Sequence, residues 1–148
     1  MTDHYRRPPS TKRIKAVIAA LGYEIVWHDD EAAGYTYFDE RLISLRRGMT
    51  NNEVRSTLAH EAMHAMFGPF PADQEDEEER LVEWLASRWL IPLSVLRTVA
   101  KRRLEPPQAL TYARVDPAAL QARVRRAMAD DQRADWTQNL QQLADLPA

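Results

Sequence analysis

His60, Glu61 and His64 stand in the run Leu58-Ala-His-Glu-Ala-Met-His-Ala-Met-Phe-Gly68 and spell H-E-x-x-H. On an α-helix, residues four apart share a face about one turn, or ~6 Å, apart. Two imidazoles at that spacing can aim ring nitrogens at one ion ~2.0–2.1 Å away. Zinc suits neutral imidazole, and two histidines leave tetrahedral corners for a further side chain and a water. Glu61 then lies beside the water corner, where a carboxylate can take the proton of a water made acidic by the metal. Five residues thus supply two ligands and a base.

The flanks hold this motif in a helix. Thr50-Asn-Asn-Glu53 has the form of a capping box, and Gly68-Pro69 is a stop signal. Val54, Leu58, Ala62, Ala65 and Met66 fall on one apolar stripe, with Thr57, His60 and His64 grouped on another face.

A third protein ligand has to come from elsewhere. After Pro69 an acidic run brings Asp73, Glu75, Asp76, Glu77, Glu78 and Glu79. Acidic side chains favour the positive end of a helix dipole, which accounts for most of them as a helix start. The helix continues to Ile91 before Pro92, with Leu81, Val82, Leu85, Ala86, Trp89 and Leu90 on its buried face. At 100° per residue, Glu75, Glu78 and Glu79 fall on or at the edge of that face, and periodicity does not choose among them.

Upstream, residues Met1 to Pro9 read as a loose arm, and Ser10 or Thr11 caps a helix that ends at Gly22. Three strands are expected over Tyr23 to Trp27, Tyr35 to Phe38 and Leu42 to Leu45. Downstream, helices are expected from Ser94 to about Arg103, Gln108 to Ala113, Pro117 to about Met128 and Trp136 to Leu146. The fold class is therefore α+β: a small antiparallel sheet of about three strands packed on a mostly helical domain. The 148 residues are expected to form a single domain, with the arm at 1–9, the core and metal site at 10–92 and a helical C-terminal part at 93–148.

Composition narrows the function classes. With 45% hydrophobic and 28% charged residues and a net charge of −2, the chain is neither a general nucleic-acid coat nor a polybasic membrane binder. Cysteine is absent, which removes thiolate zinc ligands and disulfides and fits the cytoplasm. No stretch approaches the ~20 apolar residues of a membrane helix.

Taken from Ile14 to Ile91, the chain resembles ImmA/IrrE-type metallopeptidases, most sharply in Thr57-Leu-Ala-His-Glu-Ala-Met-His-Ala-Met-Phe-Gly68 and in the block Glu79…Glu83-Trp84-Leu-Ala…Leu90-Ile91-Pro92. The resemblance implies a zincin-like, minimal thermolysin-type domain holding one zinc ion. It implies His60, His64 and Glu79 as ligands, Glu61 as general base and Glu83 as the carboxylate that orients His60 or His64. Two departures stand out: Glu83 replaces a shorter Asp or Asn, and Leu81-Val82 replaces a more polar pair. A register slip of one residue would make Glu78 the ligand. The substrate implied is a protein, a helix-turn-helix transcriptional repressor of a phage or mobile element.

Two rivals belong to other classes. Residues Gln108 to Arg126 have a helix, turn, helix rhythm, with Arg123, Arg125 and Arg126 on the second helix, as in a DNA-binding regulator. The modest overall charge argues against nucleic acid as a partner. A protein-binding module that keeps zinc without catalysis is the other.

Overall fold

A computed structural model describes residues 7–130 and 139–146. Helix α1 (Thr11–Ala20) is capped by the Ser10 hydroxyl, which accepts from the Arg13 N–H at 3.1 Å. Three strands follow: β1 (Glu24–His28), β2 (Gly34–Tyr37) and β3 (Leu42–Arg46). Helix α2 (Asn51–Phe67) opens on the expected capping box between Thr50 and Glu53, and Gly68, at φ 77°, ends it. A 3-10 turn (Ala72–Gln74) leads into α3 (Glu75–Leu90). Then come α4 (Leu93–Lys101), α5 (Pro106–Ala113), α6 (Pro117–Asp130) and the short α7 (Gln141–Ala144).

The expected sheet is present but mixed rather than wholly antiparallel. Its order is β1-β3-β2, with β1 parallel and β2 antiparallel to the central β3. Consecutive strands usually pair, but here residues 29–33 carry the chain across the C-terminal end of β3, because His28 pairs with Arg46 and Gly34 with Leu45. His28 staples that crossing. Its Nε2 donates to the Ala32 carbonyl at 2.7 Å, and its Nδ1 meets the Ser44 hydroxyl at 2.7 Å. A carbonyl can only accept, so Nε2 carries a proton. The Arg46 guanidinium donates to the Glu31 carbonyl at 2.6 Å and closes the loop.

Helix α2 runs through the middle of the fold. Leu58, Ala59 and Ala62 are fully buried among Ile14 and Ile18 of α1, Ile43 and Leu45 of β3, and Ala86 and Leu90 of α3. The single apolar stripe expected on α2 is therefore only part of its buried surface. Arg55, Ser56, Thr57 and Glu61 are buried too, whereas Met66, near the end of the stripe, is 44% exposed. A helix covered on several sides has no need of one narrow apolar face.

Two expectations about the ends change. Pro9, in the segment read as a loose arm, is buried, and its carbonyl accepts from Arg55; residues 1–6 lie outside the described part. Of the helix expected from Trp136 to Leu146, residues 131–138 also lie outside it, and Gln141–Ala144 is helical. Helix α5 starts two residues before the expected Gln108, since Glu105 caps it with Pro106 and Pro107 in its first turn.

Helix α6, the helix that would read DNA in the regulator reading, buries one of its three arginines and leaves two at the surface in contact with neighbouring elements. Arg123 is buried and donates from Nε to the Ile91 carbonyl at 2.8 Å, capping the end of α3. Arg125 donates from Nε to the Ala144 carbonyl at 3.0 Å. Arg126 lies 4.5 Å over the Trp84 ring and 3.2 Å from Asp130. These contacts tie α6 to α3 and α7.

Candidate metal centre and its cleft

His60 and His64 project from successive turns of α2, their ring centroids 5.0 Å apart and their planes at 65°. The second packed helix brings Glu79 across to them. Its Oε1 lies 2.7 Å from His60 Nε2, and its Oε2 lies 3.1 Å from His64 Nε2. One carboxylate thus spans both Nε2 atoms, and the three side chains offer ligand atoms within 4.8 Å of one another. A tetrahedral ion with ~2.0–2.1 Å bonds sets its ligand atoms ~3.3 Å apart, so these groups need only small outward shifts to hold one. Two imidazoles and a carboxylate are also the donor set of catalytic rather than closed structural zinc sites. The residues present fit the ion.

The carboxylates around the rings act on both partners. His64 is pulled down by burial, but the hydrogen bond to Glu79 and the carboxylates of Glu61 and Glu78 outweigh that and leave its pKa raised. Glu79 is held far below the usual carboxylate range by its hydrogen bonds to His60 and His64, against the opposing effect of partial burial.

Of the three glutamates that periodicity left open, the structure brings Glu79 to both rings. Glu78, only 8% exposed, lies with Oε1 3.4 Å from His64 Nδ1, on the side of the ring away from Glu79. Glu75 lines the cleft. Glu83, expected to steady a histidine, also lines the cleft, but no ion pair or hydrogen bond joins it to either ring among the described residues. Of the two, Glu78 is the carboxylate that stands beside an imidazole nitrogen. A glutamate next to the one that bridges the rings occupies the flank of His64, whereas Glu83 sits a turn further along α3.

Glu61 is buried against the sheet. The Thr36 hydroxyl of β2 donates to Glu61 Oε2 at 2.6 Å. Gly34, two residues earlier on the same strand, lies so close to α2 that a Cβ there would meet Thr57 Cγ2 at 2.7 Å and Glu61 Oε1 at 3.0 Å. Neither residue stood out in the sequence. The available hint was Gly34 at the start of a β-rich run, where a glycine often marks the close approach of another backbone or side chain.

These groups face a cleft of about 820 Å³. Its walls are β2 (Tyr35, Thr36), the α2 motif, the start of α3 and, on the far side, Ala118, Ala119 and Ala122 of α6. Asp116 anchors that far wall. Its Oδ1 accepts from the Ala119 N–H at 2.9 Å, which caps α6, and its own N–H donates to Ser56 Oγ of α2 at 2.9 Å. Burial raises the Asp116 pKa, against the capping bond and the nearby His60. Helix α6 of the C-terminal part is thus a wall of the cleft.

Among the described residues, no helix is long and apolar enough to cross a membrane. A family model described as the peptidase M78, IrrE N-terminal-like domain matches residues 18–125, well over half of the chain. No curated protein and no solved structure gives a significant match.

Proposed function

Because the chain belongs to the peptidase M78, IrrE N-terminal-like domain family, we propose that it is a zinc-dependent endopeptidase whose ion is held by His60, His64 and Glu79. The observation that carries this reading is the convergence of both imidazole Nε2 atoms on one carboxylate, on an open cleft, with a buried glutamate one residue after the first ligand. A bound zinc supplies a Lewis acid that acidifies a water and polarises the scissile carbonyl. Glu61 takes the proton of the attacking water and delivers it to the leaving amine. Glu78 accepts from His64 Nδ1–H and keeps Nε2 turned to the ion, as carboxylates behind metal-bound histidines do. Strand β2 is an edge of the sheet and lines the cleft, so an extended substrate can add to it through main-chain hydrogen bonds. The substrate proposed is a cytoplasmic regulatory protein, a helix-turn-helix repressor of a phage or mobile element. Its support is the likeness to ImmA/IrrE-type proteins rather than any pocket.

Zinc content per chain, measured by elemental mass spectrometry, tests the ligand set. Wild type should carry close to one zinc, Glu79→Ala should lose most of it, and Glu78→Ala should keep it with weaker affinity, by ~10–100-fold if Glu78 orients the ring. Equal zinc in wild type and Glu79→Ala would move the third ligand elsewhere.

A pH dependence follows from His64. A metal needs the neutral ring, and the raised His64 pKa means that protons compete for it above the ordinary value of 6.5. Zinc affinity in calorimetric titrations should therefore rise with pH past 6.5, with proton release on binding, and level off once His64 is neutral. An affinity unchanged between about pH 6 and 8 would contradict this.

A further inference from the structure

A general base must present its carboxylate at one place, yet a glutamate side chain has three rotatable bonds and no ring to stiffen it. Glu61 is held from outside its own helix. The Thr36 hydroxyl approaches Oε2 to 2.6 Å, a length typical of a charge-assisted O–H···O⁻ bond, while it lies 3.3 Å from the Glu61 carbonyl. A hydroxyl has one proton to donate, so the carboxylate receives it. Gly34 completes the seat. With hydrogen in place of a Cβ, the strand backbone comes close enough for the Glu61 Cγ and Oε1 to lie against it. Backbone torsion does not explain this glycine, since its φ is not in the left-handed region; close approach does.

We propose that Thr36 is a positioning residue for Glu61: its hydroxyl holds Oε2 so that the carboxylate stays turned into the cleft, and it re-seats the side chain each time the proton has been passed on. This rests on the peptidase reading above. The hydroxyl serves both states of the base, since Oγ1 donates to the carboxylate and can accept from a carboxylic acid. Thr36 also stands on the strand proposed to pair with substrate, so the seat of the base and the substrate backbone share one rigid element.

The test compares Thr36→Val, which keeps shape and strand preference, with Thr36→Ser, which keeps the hydroxyl. Crystal structures of both should show the Glu61 carboxylate displaced from β2 in the valine variant and retained in the serine variant, with His60, His64 and Glu79 unmoved. A Glu61 carboxylate still in place in Thr36→Val overturns the proposal, whether or not a cleavage assay exists. With fluorescently labelled casein as substrate, Thr36→Val should lower kcat roughly 10- to 100-fold at unchanged KM and zinc content. Thr36→Ser should restore most of that, and Thr36→Val should cost nothing further in a Glu61→Gln background. Equal effects on kcat from valine and serine, or additive losses, would also overturn it. Wild-type protein that binds zinc but does not cut casein counts against the breadth of the peptidase reading, while the crystal structures still decide the role of Thr36.

Discussion

Replacing Glu61 with glutamine is expected to lower peptide hydrolysis by roughly 10²–10⁴-fold, the range a positioned general base contributes, while zinc content stays at the wild-type level. The two readouts separate because Glu61 and the proposed ligands are placed differently: His60 and His64 stand elsewhere on α2, and Glu79 is on α3. The atoms that converge are the Nε2 atoms of His60 and His64 and the carboxylate of Glu79, the group that could hold an ion. Glu61 instead lies against β2, with Oε2 on the Thr36 hydroxyl. Glutamine has the same length and can still accept from that hydroxyl through its amide oxygen, so the packing at Gly34 survives. What it lacks is a lone pair that can take a proton at neutral pH. Side-by-side assays of cleavage and bound zinc would check this. Retained cleavage would remove Glu61 from the chemistry, and loss of zinc would make it a ligand.

The largest effect on stability is expected at Arg55. The residue is 2% exposed, and every hydrogen bond its guanidinium makes among the described residues goes to a main-chain carbonyl. Nε and Nη2 donate to Pro9 O at 3.0 and 2.8 Å, and Nη2 also reaches Leu90 O at 3.3 Å. Nη1 donates to Ala113 O and Arg114 O at 3.1 and 2.8 Å. Leu90 and Ala113 are the last residues of α3 and α5, whose carbonyls have no partner within the helix and carry its negative end. One cation thus closes two helices and ties down the segment before α1. Burial, with Arg114 nearby, lowers its pKa to about 10, so it stays charged at neutral pH.

Arg55→Met fills a similar length but strands those oxygens, at ~1–3 kcal/mol for each that water cannot reach. A loss of about 3–5 kcal/mol, a few such oxygens at that cost, is expected in urea unfolding of the protein. Against a total of ~5–15 kcal/mol for an ordinary domain this is a large fraction. Arg55→Lys should recover only a minority, since an ammonium lacks the planar fork that reaches carbonyls on opposite sides. A loss under about 1 kcal/mol would mean that the carbonyls find other donors.

Local features of this chain were legible without coordinates because their causes lie within a few residues. Helical spacing alone puts His60 and His64 on one face, Thr50 and Glu53 cap the helix through contacts three residues apart, and Gly68 stops it. The two longest helices and the three strands follow from the same short-range periodicities and turn residues. Features that depend on how elements are laid against one another were not legible. Periodicity left Glu75, Glu78 and Glu79 equivalent, because the choice depends on the rotation and depth at which α3 meets α2; that packing puts Glu79 across both rings and Glu78 behind His64. The parallel pairing of β1 with β3 depends on a loop crossing a strand end, which pairing by adjacency does not foresee. Nothing local marks Arg55 or Arg123 for burial, and only the meeting of helix C-termini around them explains it. Thr36 lies 25 residues before the glutamate it holds. The sequence by itself determined the chemistry on offer, since that needs only residue types at helical spacing; tertiary packing decided which carboxylate meets the histidines and what seats Glu61, because those contacts join segments whose separation no local pattern encodes.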